Sequence, residues 1–360
     1  MKKVLRVCSY PTSAFESMGM NSYIISGMKS VKTIYITPQY EGDLFPEPHN
    51  CTVIPLPFLT IPAPTGFLKI IHEIKRSFVI LGFSLQSILI LLKEKPDIVH
   101  IHSPMYFLIA LFAKIQRKIC YITYHGNEHK RIYSSLILGG MFNRIFKKTF
   151  ALSSSIEDYG VRFPYYKNKY ISISNSVNTK IFFNRGSTKK KIIVAVGRLE
   201  IQKDYPSLLL AFAKFNLQFP DYKMFIAGSG SLEADLKKIA ADIGIDRSVT
   251  FLGKVSQKEI CNIYNESEIF VLTSLWEGFP KVLLEAIACG CKVVATRVDS
   301  IPKIMGYDYP YLVNPGDVDD IHTKMCSSVN DEKMKSRYDD ILNSYNWDEV
   351  IEMMEDEYNK

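Results

Sequence analysis

A chain of 360 residues, 47% hydrophobic and 22% charged, has room for two domains and the composition of a soluble globular protein. That balance excludes a low-complexity, disordered or short-repeat chain. The net charge of +7 is uneven: residues 1–175 carry 21 Lys and Arg against 10 Asp and Glu, and residues 176–360 carry 23 against 27. A basic first half points to an anionic partner such as nucleic acid, a membrane surface or a phosphorylated substrate, although a solvated basic surface fits the same count.

The N-terminal MKKVLRVCSYP has basic residues and a short apolar run broken by Arg6, which predicts a first strand rather than a signal peptide. Apolar β-branched runs then predict buried parallel strands at Val4–Ser9, Thr33–Thr37, Thr52–Leu56, Ile98–His102, Ile119–Tyr124, Phe150–Ser153 and Tyr170–Ser174. Periodic segments at 67–93, 104–117 and 131–147 predict helices between them. The longest uncharged stretch, Ser77–Leu92, falls short of the ~20 apolar residues of a spanning helix and predicts a buried or interfacial one. The polar stretch Arg185-Gly-Ser-Thr-Lys-Lys-Lys marks a boundary near 175–191. The pattern then restarts, with strands predicted at Ile192–Val196, Met224–Ala227, Val249–Leu252, Ile269–Thr273 and Lys292–Thr296. Helices are predicted at 204–218, 231–243, 256–265, 280–289 and 317–329. Two such series predict an α/β chain of two doubly wound parallel-sheet domains, 1–175 and 176–345, with a small anionic ligand in the cleft between facing strand ends. The closing segment from Asn346 reads as an acidic amphipathic helix.

The seven cysteines are odd in number and include no CxxC pair, which argues against a zinc finger or disulfide framework and fits a reducing cytoplasm. Cys289 and Cys291 read as small core residues. His100 and His102 would share one face of a strand, but no third ligand is evident, so strand-end packing or cleft lining is the expectation. Asp317-Val-Asp319 follows Pro315-Gly316 and predicts a helix N-cap rather than a metal site. No essential metal and no cofactor are expected.

The segment Ile269 to Gly290 is the most informative. A buried strand leads to a loop with Trp276, Glu277 and Gly278, and Pro280 suits the first turn of a helix. Free N–H groups from about Lys281 through Val282 to Leu283 would offer a phosphate site. Gly278 would let the backbone approach a ligand. Glu285, more than one turn inside, suits a vicinal diol such as ribose, and Glu277 could hold a second sugar. A helix capped by chance, with two exposed glutamates, fits the spacing equally.

Glu277 and Glu285, in the setting WEGFPKVLLEAIACGCKVVAT, resemble the Glu-x7-Glu signature of the family 4 retaining glycosyltransferases of the GT-B fold. Val196-Gly-Arg-Leu-Glu-Ile-Gln-Lys resembles that family's phosphate-binding segment, and Ile226-Ala-Gly-Ser-Gly its nucleotide-side glycine turn. Asp97-Ile-Val-His-Ile-His, Thr123-Tyr-His-Gly and Ser174-Asn-Ser-Val-Asn resemble, in order, its N-domain strand ends and interdomain crossing. The resemblance implies a GT-B architecture and a nucleotide-sugar donor held by the second domain. Arg198 and Lys203 are then implied to hold the diphosphate, stabilising charge as it develops on the leaving group. Glu285 is implied to bind ribose, and Glu277 with the backbone from Gly278 through Phe279 and Pro280 to Lys281 to bind the donor sugar. Gly228 and Gly253 join the donor-binding set. Gly19 resembles the N-domain glycine loop near the phosphates, and His125 the histidine facing the reacting sugar. The closing helix is implied to cross back onto the first domain.

After Val294-Ala-Thr the family pattern has a Gly-Gly pair and then a glutamate, whereas this chain reads Val298-Asp-Ser-Ile-Pro-Lys-Ile. Asp299 and Ser300 replace the glycines, and Lys303 replaces the acidic residue. Phe67 to Leu81 mixes cations with apolar residues at helical spacing, and Lys114, Arg117, Lys118, Lys147 and Lys148 add charge, as an anionic lipid surface would favour. Burial of that helix against a sheet fits the pattern equally. The resulting expectation is a metal-independent retaining transferase, cytoplasmic or peripheral on the inner face of the membrane. It would move a hexose or N-acetylhexosamine from a UDP-sugar, ahead of a GDP-sugar, to a polyprenyl-diphosphate-linked glycan in surface polysaccharide or lipopolysaccharide synthesis. A nucleotide-sugar epimerase and a catalytically silent sugar-binding subunit are the alternatives; no nucleic-acid partner is expected.

Overall fold

The computed structural model describes residues 1–8, 24–25, 27–38, 50–57, 69–124, 144–152, 169–173 and 175–360. The first half builds β1 (Lys2–Val7), β2 (Val31–Pro38), β3 (Cys51–Leu56), β4 (Ile98–Ile101), β5 (Ile119–Tyr124), β6 (Lys148–Leu152) and β7 (Tyr170–Ile173). All pair in parallel in the order β3-β2-β1-β4-β5-β6-β7. The order switches direction between β1 and β4, where Val4 lies opposite Ile98 and Val7 opposite Ile101. Every residue of β4 is buried, as a strand inside a sheet covered on both faces requires. Helices α1 (Lys69–Glu94) and α2 (Phe107–Ile115) cover one face, where Phe83, Leu91, Ile109 and Ala113 pack with Leu5, Val99 and Ile101.

Helix α1 agrees with the helix predicted over 67–93, its charged ends continuing it beyond the uncharged stretch. Within it, Lys75–Glu94 has a mean hydropathy of 1.6 and is long and apolar enough, by length and composition, to cross a membrane. One side nevertheless serves as core: Phe83, Ser84, Ser87 and Leu91 are buried, and the Ser87 hydroxyl donates to the Phe83 carbonyl at 2.8 Å.

The second half builds β8 (Lys190–Val196), β9 (Lys223–Ala227), β10 (Val249–Gly253), β11 (Ser267–Leu272), β12 (Lys292–Thr296) and β13 (Leu312–Val313), parallel in the order β10-β9-β8-β11-β12-β13. Its helices are α3 (Tyr205–Gln218), α4 (Glu233–Asp242), α5 (Gln257–Glu266), α6 (Lys281–Ala288), α7 (Ile301–Met305), α8 (Val318–Val329) and α9 (Tyr338–Ser344). Their apolar faces close one core around Val194, Ile226, Phe270 and Val294. The helix starts are chemically marked. Ser256 and Glu259 form a reciprocal capping box on α5, and the Asp317 carboxylate accepts from Asp320 N–H at 3.0 Å to cap α8. Asp317-Val-Asp319 is thus a helix start. Cys289 and Cys291 are buried around Gly290, whose φ of 74° ends α6. The strand order reverses at β8 and β11, a doubly wound topology whose crevice opens outside their carboxyl ends.

The chain divides into two compact units, Met1–Ser174 with Trp347–Lys360, and Asn175–Asn346. The last helix, α10 (Trp347–Asn359), belongs to the first unit and buries Trp347, Val350, Met354 and Tyr358 with Val4, Ile98 and Phe150 on the sheet face opposite α1. Lys2 Nζ donates to the Tyr358 and Asn359 carbonyls at 2.8 and 3.1 Å, placing a cation at the negative end of the helix. Glu355 accepts from the backbone N–H groups of Lys29 and Ser30, each at 2.6 Å. Both nitrogens of His100 and Nε2 of His102 are engaged by protein groups. Arg6 Nε donates to His102 Nε2 at 3.3 Å, while His100 bonds Thr123 Oγ1 at 2.7 Å on one side and the Tyr358 hydroxyl on the other. Their rings stack 4.6 Å apart, so the pair packs the strand end, as expected.

Candidate active site

The loops leaving β8 and β11 meet at the reversal point of the second sheet. After β8 the chain passes Gly197 and Arg198 into a 3-10 turn, Ile201–Lys203, and Asp204 (φ 46°) opens α3. After β11 it passes Thr273 and Ser274 into the Glu277 loop. The two loops are stitched by backbone-directed bonds. Thr273 Oγ1 donates to the carbonyls of Lys203 and Asp204 at 2.9 and 3.2 Å, Leu275 N–H to the Gln202 carbonyl at 2.8 Å, and Gln202 Nε2 to the Trp276 carbonyl at 2.8 Å.

That stitching brings Lys203 and Glu277 together. Lys203 Nζ forms an ion pair with Glu277 Oε1, and Ser274 Oγ donates to the same oxygen at 2.6 Å. The lysine side chain is 12% exposed and the glutamate 7%. Glu277 N–H donates to Asp299 Oδ2 at 2.7 Å. Arg198 stays exposed, with Nη2 donating to Gln202 Oε1 at 3.1 Å. One face thus gathers two cations and two carboxylates at the carboxyl end of a parallel sheet. Cations can meet phosphate charge there, and carboxylates can accept from sugar hydroxyls.

The glycines after β9 make this packing possible. A Cβ on Gly228, whose φ is 141°, would stand 1.9 Å from the Gly197 carbonyl oxygen. One on Gly230 would stand 2.3 Å from that of Leu199. The β9 loop therefore holds the Arg198 loop in place, with Gly197 N–H bonded to Ala227 O and Leu199 N–H to Ser229 O, both at 3.0 Å. Gly253 supports it one layer out, its carbonyl receiving Gly228 N–H at 2.8 Å.

Helix α6 begins at Lys281, with Pro280 at the cap and no side chain capping it. Leu283 N–H is bonded to the Pro280 carbonyl at 3.0 Å, which narrows the expected set of free amides. Leu283 is fully buried and Val282 packs on the core, so only their backbones could meet a ligand. Phe279 is half-buried, its ring edge-on to Tyr345 at 5.5 Å, and Lys281 is exposed. A side chain at Gly278 would meet nothing within 4 Å, so the chain itself does not demand glycine there. Glu285 sits deeper, beside Tyr264. Burial pushes its carboxyl up to about 7, with Lys281 and a hydrogen bond from Tyr264 holding it back. Burial and the adjoining Glu285 push the Tyr264 phenol well above its usual range.

The structure therefore brings Lys203 and Glu277 into contact and stitches the Arg198 loop beside them. Gly228, Phe279 and Pro280 lie in the loops around, Gly253 ends β10, and Lys281 opens the helix that carries Glu285. Gly19 and His125 lie outside the described residues. Sequence reasoning missed Ser274 and the Glu277 contact of Asp299. Ser274 had a legible signal, a hydroxyl three residues before the glutamate on a buried strand end. All seven cysteines are free thiols, and among the described residues no group of three or more His, Cys, Asp or Glu side chains could hold a metal ion.

Residues 177–342 match the model of the glycosyl transferases group 1, and residues 29–181 that of Glycosyltransferase Family 4. The chain belongs to the glycosyl transferases group 1. Among curated relatives, the Escherichia coli UDP-Gal:alpha-D-GlcNAc-diphosphoundecaprenol alpha-1,3-galactosyltransferase is 26% identical over 301 residues, covering 75% of this chain and 76% of the relative. For several other curated relatives the matched stretch spans only about a third to three fifths of their length. Among solved structures, the sucrose-phosphate synthase of Thermosynechococcus elongatus superposes with a TM-score of 0.75 at 17% identity, covering 100% of this chain and 98% of that one. Anabaena HepE, solved with UDP and glucose, gives 0.72 at 14% identity with full coverage of both chains. These likenesses show the GT-B fold.

Proposed function

We propose that this group 1 glycosyl transferase moves a hexose or N-acetylhexosamine from a UDP-sugar to a lipid-linked glycan acceptor with retention of anomeric configuration. The observation that carries the reading is the Lys203–Glu277–Ser274 cluster beside Arg198 at the reversal point of the second sheet. In this reading the donor diphosphate takes Arg198 and Lys203, and Lys203 exchanges part of its bond to Glu277 for phosphate oxygen. Glu277 then turns its carboxylate to donor sugar hydroxyls, and Glu285 accepts from the ribose diol. The donor bond between anomeric carbon and diphosphate oxygen breaks while the acceptor oxygen bonds the same carbon on the same face. The acceptor proton passes to the leaving diphosphate, and the two cations stabilise the charge that develops there. No step calls for a metal. The E. coli relative, whose donor is a UDP-sugar and whose acceptor is a diphosphoundecaprenol glycan, supports the donor and acceptor classes.

The first unit supports a lipid-borne acceptor in surface polysaccharide synthesis, reached by peripheral association with the inner face of the membrane. On α1, Phe78, Leu81, Leu85, Leu89 and Leu92 are exposed at helical spacing, and on α2 Leu108 and Ile115 are exposed too. The exposed cations Lys75, Arg76, Lys93, Lys114 and Arg117 lie on or beside the same helices. An apolar stripe flanked by cations matches an anionic membrane surface. Acceptor-dependent release of UDP from a panel of UDP-sugars tests the reading. Release from none of them with polyprenyl-diphosphate sugars present would sink it.

A further inference from the structure

Asp299 stands where the resembling pattern has glycine, and the structure gives it a defined contact. Its φ is 44°, a left-handed conformation unfavourable for a residue with a Cβ, though Asp tolerates it better than most. Its Oδ2 accepts Glu277 N–H at 2.7 Å, so the carboxylate is fixed within one peptide unit of the Glu277 backbone. Its Oδ1 has no partner among the described residues, and the residue is exposed. The Glu277 carboxylate uses one oxygen for Lys203 and Ser274. Next in the chain, Ser300 is 7% exposed and its Oγ is buried without a hydrogen-bond partner. This face of the loop therefore carries two carboxylates, one of them paired with Lys203, with the exposed Arg198 on the neighbouring loop.

We propose that Asp299 is a positioning and specificity residue. It fixes the Glu277 loop through the backbone N–H, and its charge excludes donors whose sugar carries an acidic group. The inference rests on the reading that Glu277 faces the donor sugar. A neutral hexose offers hydroxyl donors to both carboxylates. A uronic acid at the same place sets a third carboxylate against two, and like-charge juxtaposition weakens binding of the wrong ligand without requiring any new contact to the right one. Asparagine at 299 keeps an oxygen that can accept Glu277 N–H but removes the charge. Glycine removes both.

The test measures affinities of the full chain for UDP, UDP-glucose and UDP-glucuronate by competition against a fluorescent UDP analogue. The ratio of the glucuronate to the glucose dissociation constant is read within each variant, which divides out any general weakening. The wild type should show a ratio of about 10 or more, falling at least fivefold in Asp299→Asn. Asp299→Gly should show the same fall together with weaker binding of UDP-glucose, because the Glu277 loop loses its tie. A wild-type ratio near 1, or a ratio in Asp299→Asn within twofold of the wild type, overturns the proposal. UDP reports separately on the parent reading. If UDP itself does not bind, the donor site falls; if UDP binds and the ratio does not move, only the role of Asp299 falls.

Discussion

Replacing Lys203 by methionine isolates the ion pair that holds the two site loops. Methionine keeps most of the stem's apolar contact and removes the charge. Glu277 would remain 7% exposed with Ser274 Oγ as its side-chain partner. Removing one member of a buried ion pair costs about 3–5 kcal/mol because the other charge is left unpaired. Ser274 Oγ keeps donating to the stranded carboxylate, so the charge is not left wholly without a partner, and a loss at or just below the low end of that range, about 2–3 kcal/mol, is expected. Glu277→Gln alone should cost a similar amount by stranding the lysine. The double variant, with both charges gone, should recover at least half of the summed loss, a coupling of about 2 kcal/mol in a double-mutant cycle. Urea unfolding of all four proteins measures it. Single losses below about 0.5 kcal/mol that simply add would refute the buried pair. Turnover should behave otherwise: the double variant should stay at least about 100-fold below wild type, because the charge that meets the diphosphate is absent.

The Glu285 carboxyl, raised to about 7 by burial, gives two opposite pH trends. Its folded value lies above its unfolded value, so its contribution to stability is greatest at low pH and declines as pH rises from about 4.5 to about 7. Affinity for UDP should rise over pH 6–8 as the ribose-accepting carboxylate ionises; calorimetry checks this, and Glu285→Gln should flatten both trends. Gly228→Ala should displace the Arg198 loop, since its Cβ would overlap the Gly197 carbonyl, and should lower the melting temperature by several degrees with a matching loss of UDP affinity. Asp317→Ala should cost about 1 kcal/mol through the lost cap on α8, measured by urea unfolding, and leave turnover near wild type. Leu85→Glu with Leu89→Glu should reduce co-sedimentation with anionic vesicles severalfold at low salt while leaving UDP affinity intact. Unchanged co-sedimentation would remove the membrane face.

Both sheets were legible because buried parallel strands advertise themselves as short β-branched runs such as Val4–Val7 and Val271–Leu272. Elements too short for periodicity were not: two-residue β13, five-residue α7 and seven-residue α9 are shaped by packing on the core, which no local pattern records. The spacing of Glu277 and Glu285 marked the site, but not how its members meet. Lys203 and Glu277 lie 74 positions apart, and their pairing depends on Thr273 and Gln202 stitching two loops through backbone groups that any sequence possesses. Asp299 was legible as a departure from a pattern; its hydrogen bond to Glu277 needed the fold. The α1 stripe shows the reverse limit. Its apolar residues were visible, but only the sheet decides that Phe83 and Leu91 turn inward while Leu85 and Leu89 do not.

The most direct measurement is UDP release from UDP-sugars with and without a polyprenyl-diphosphate-linked sugar, for wild type and for Arg198→Ala and Lys203→Ala. The account predicts acceptor-dependent release from at least one neutral UDP-sugar, depressed about 100-fold or more in each variant. Wild-type release in both variants, or release indifferent to acceptor, would contradict it.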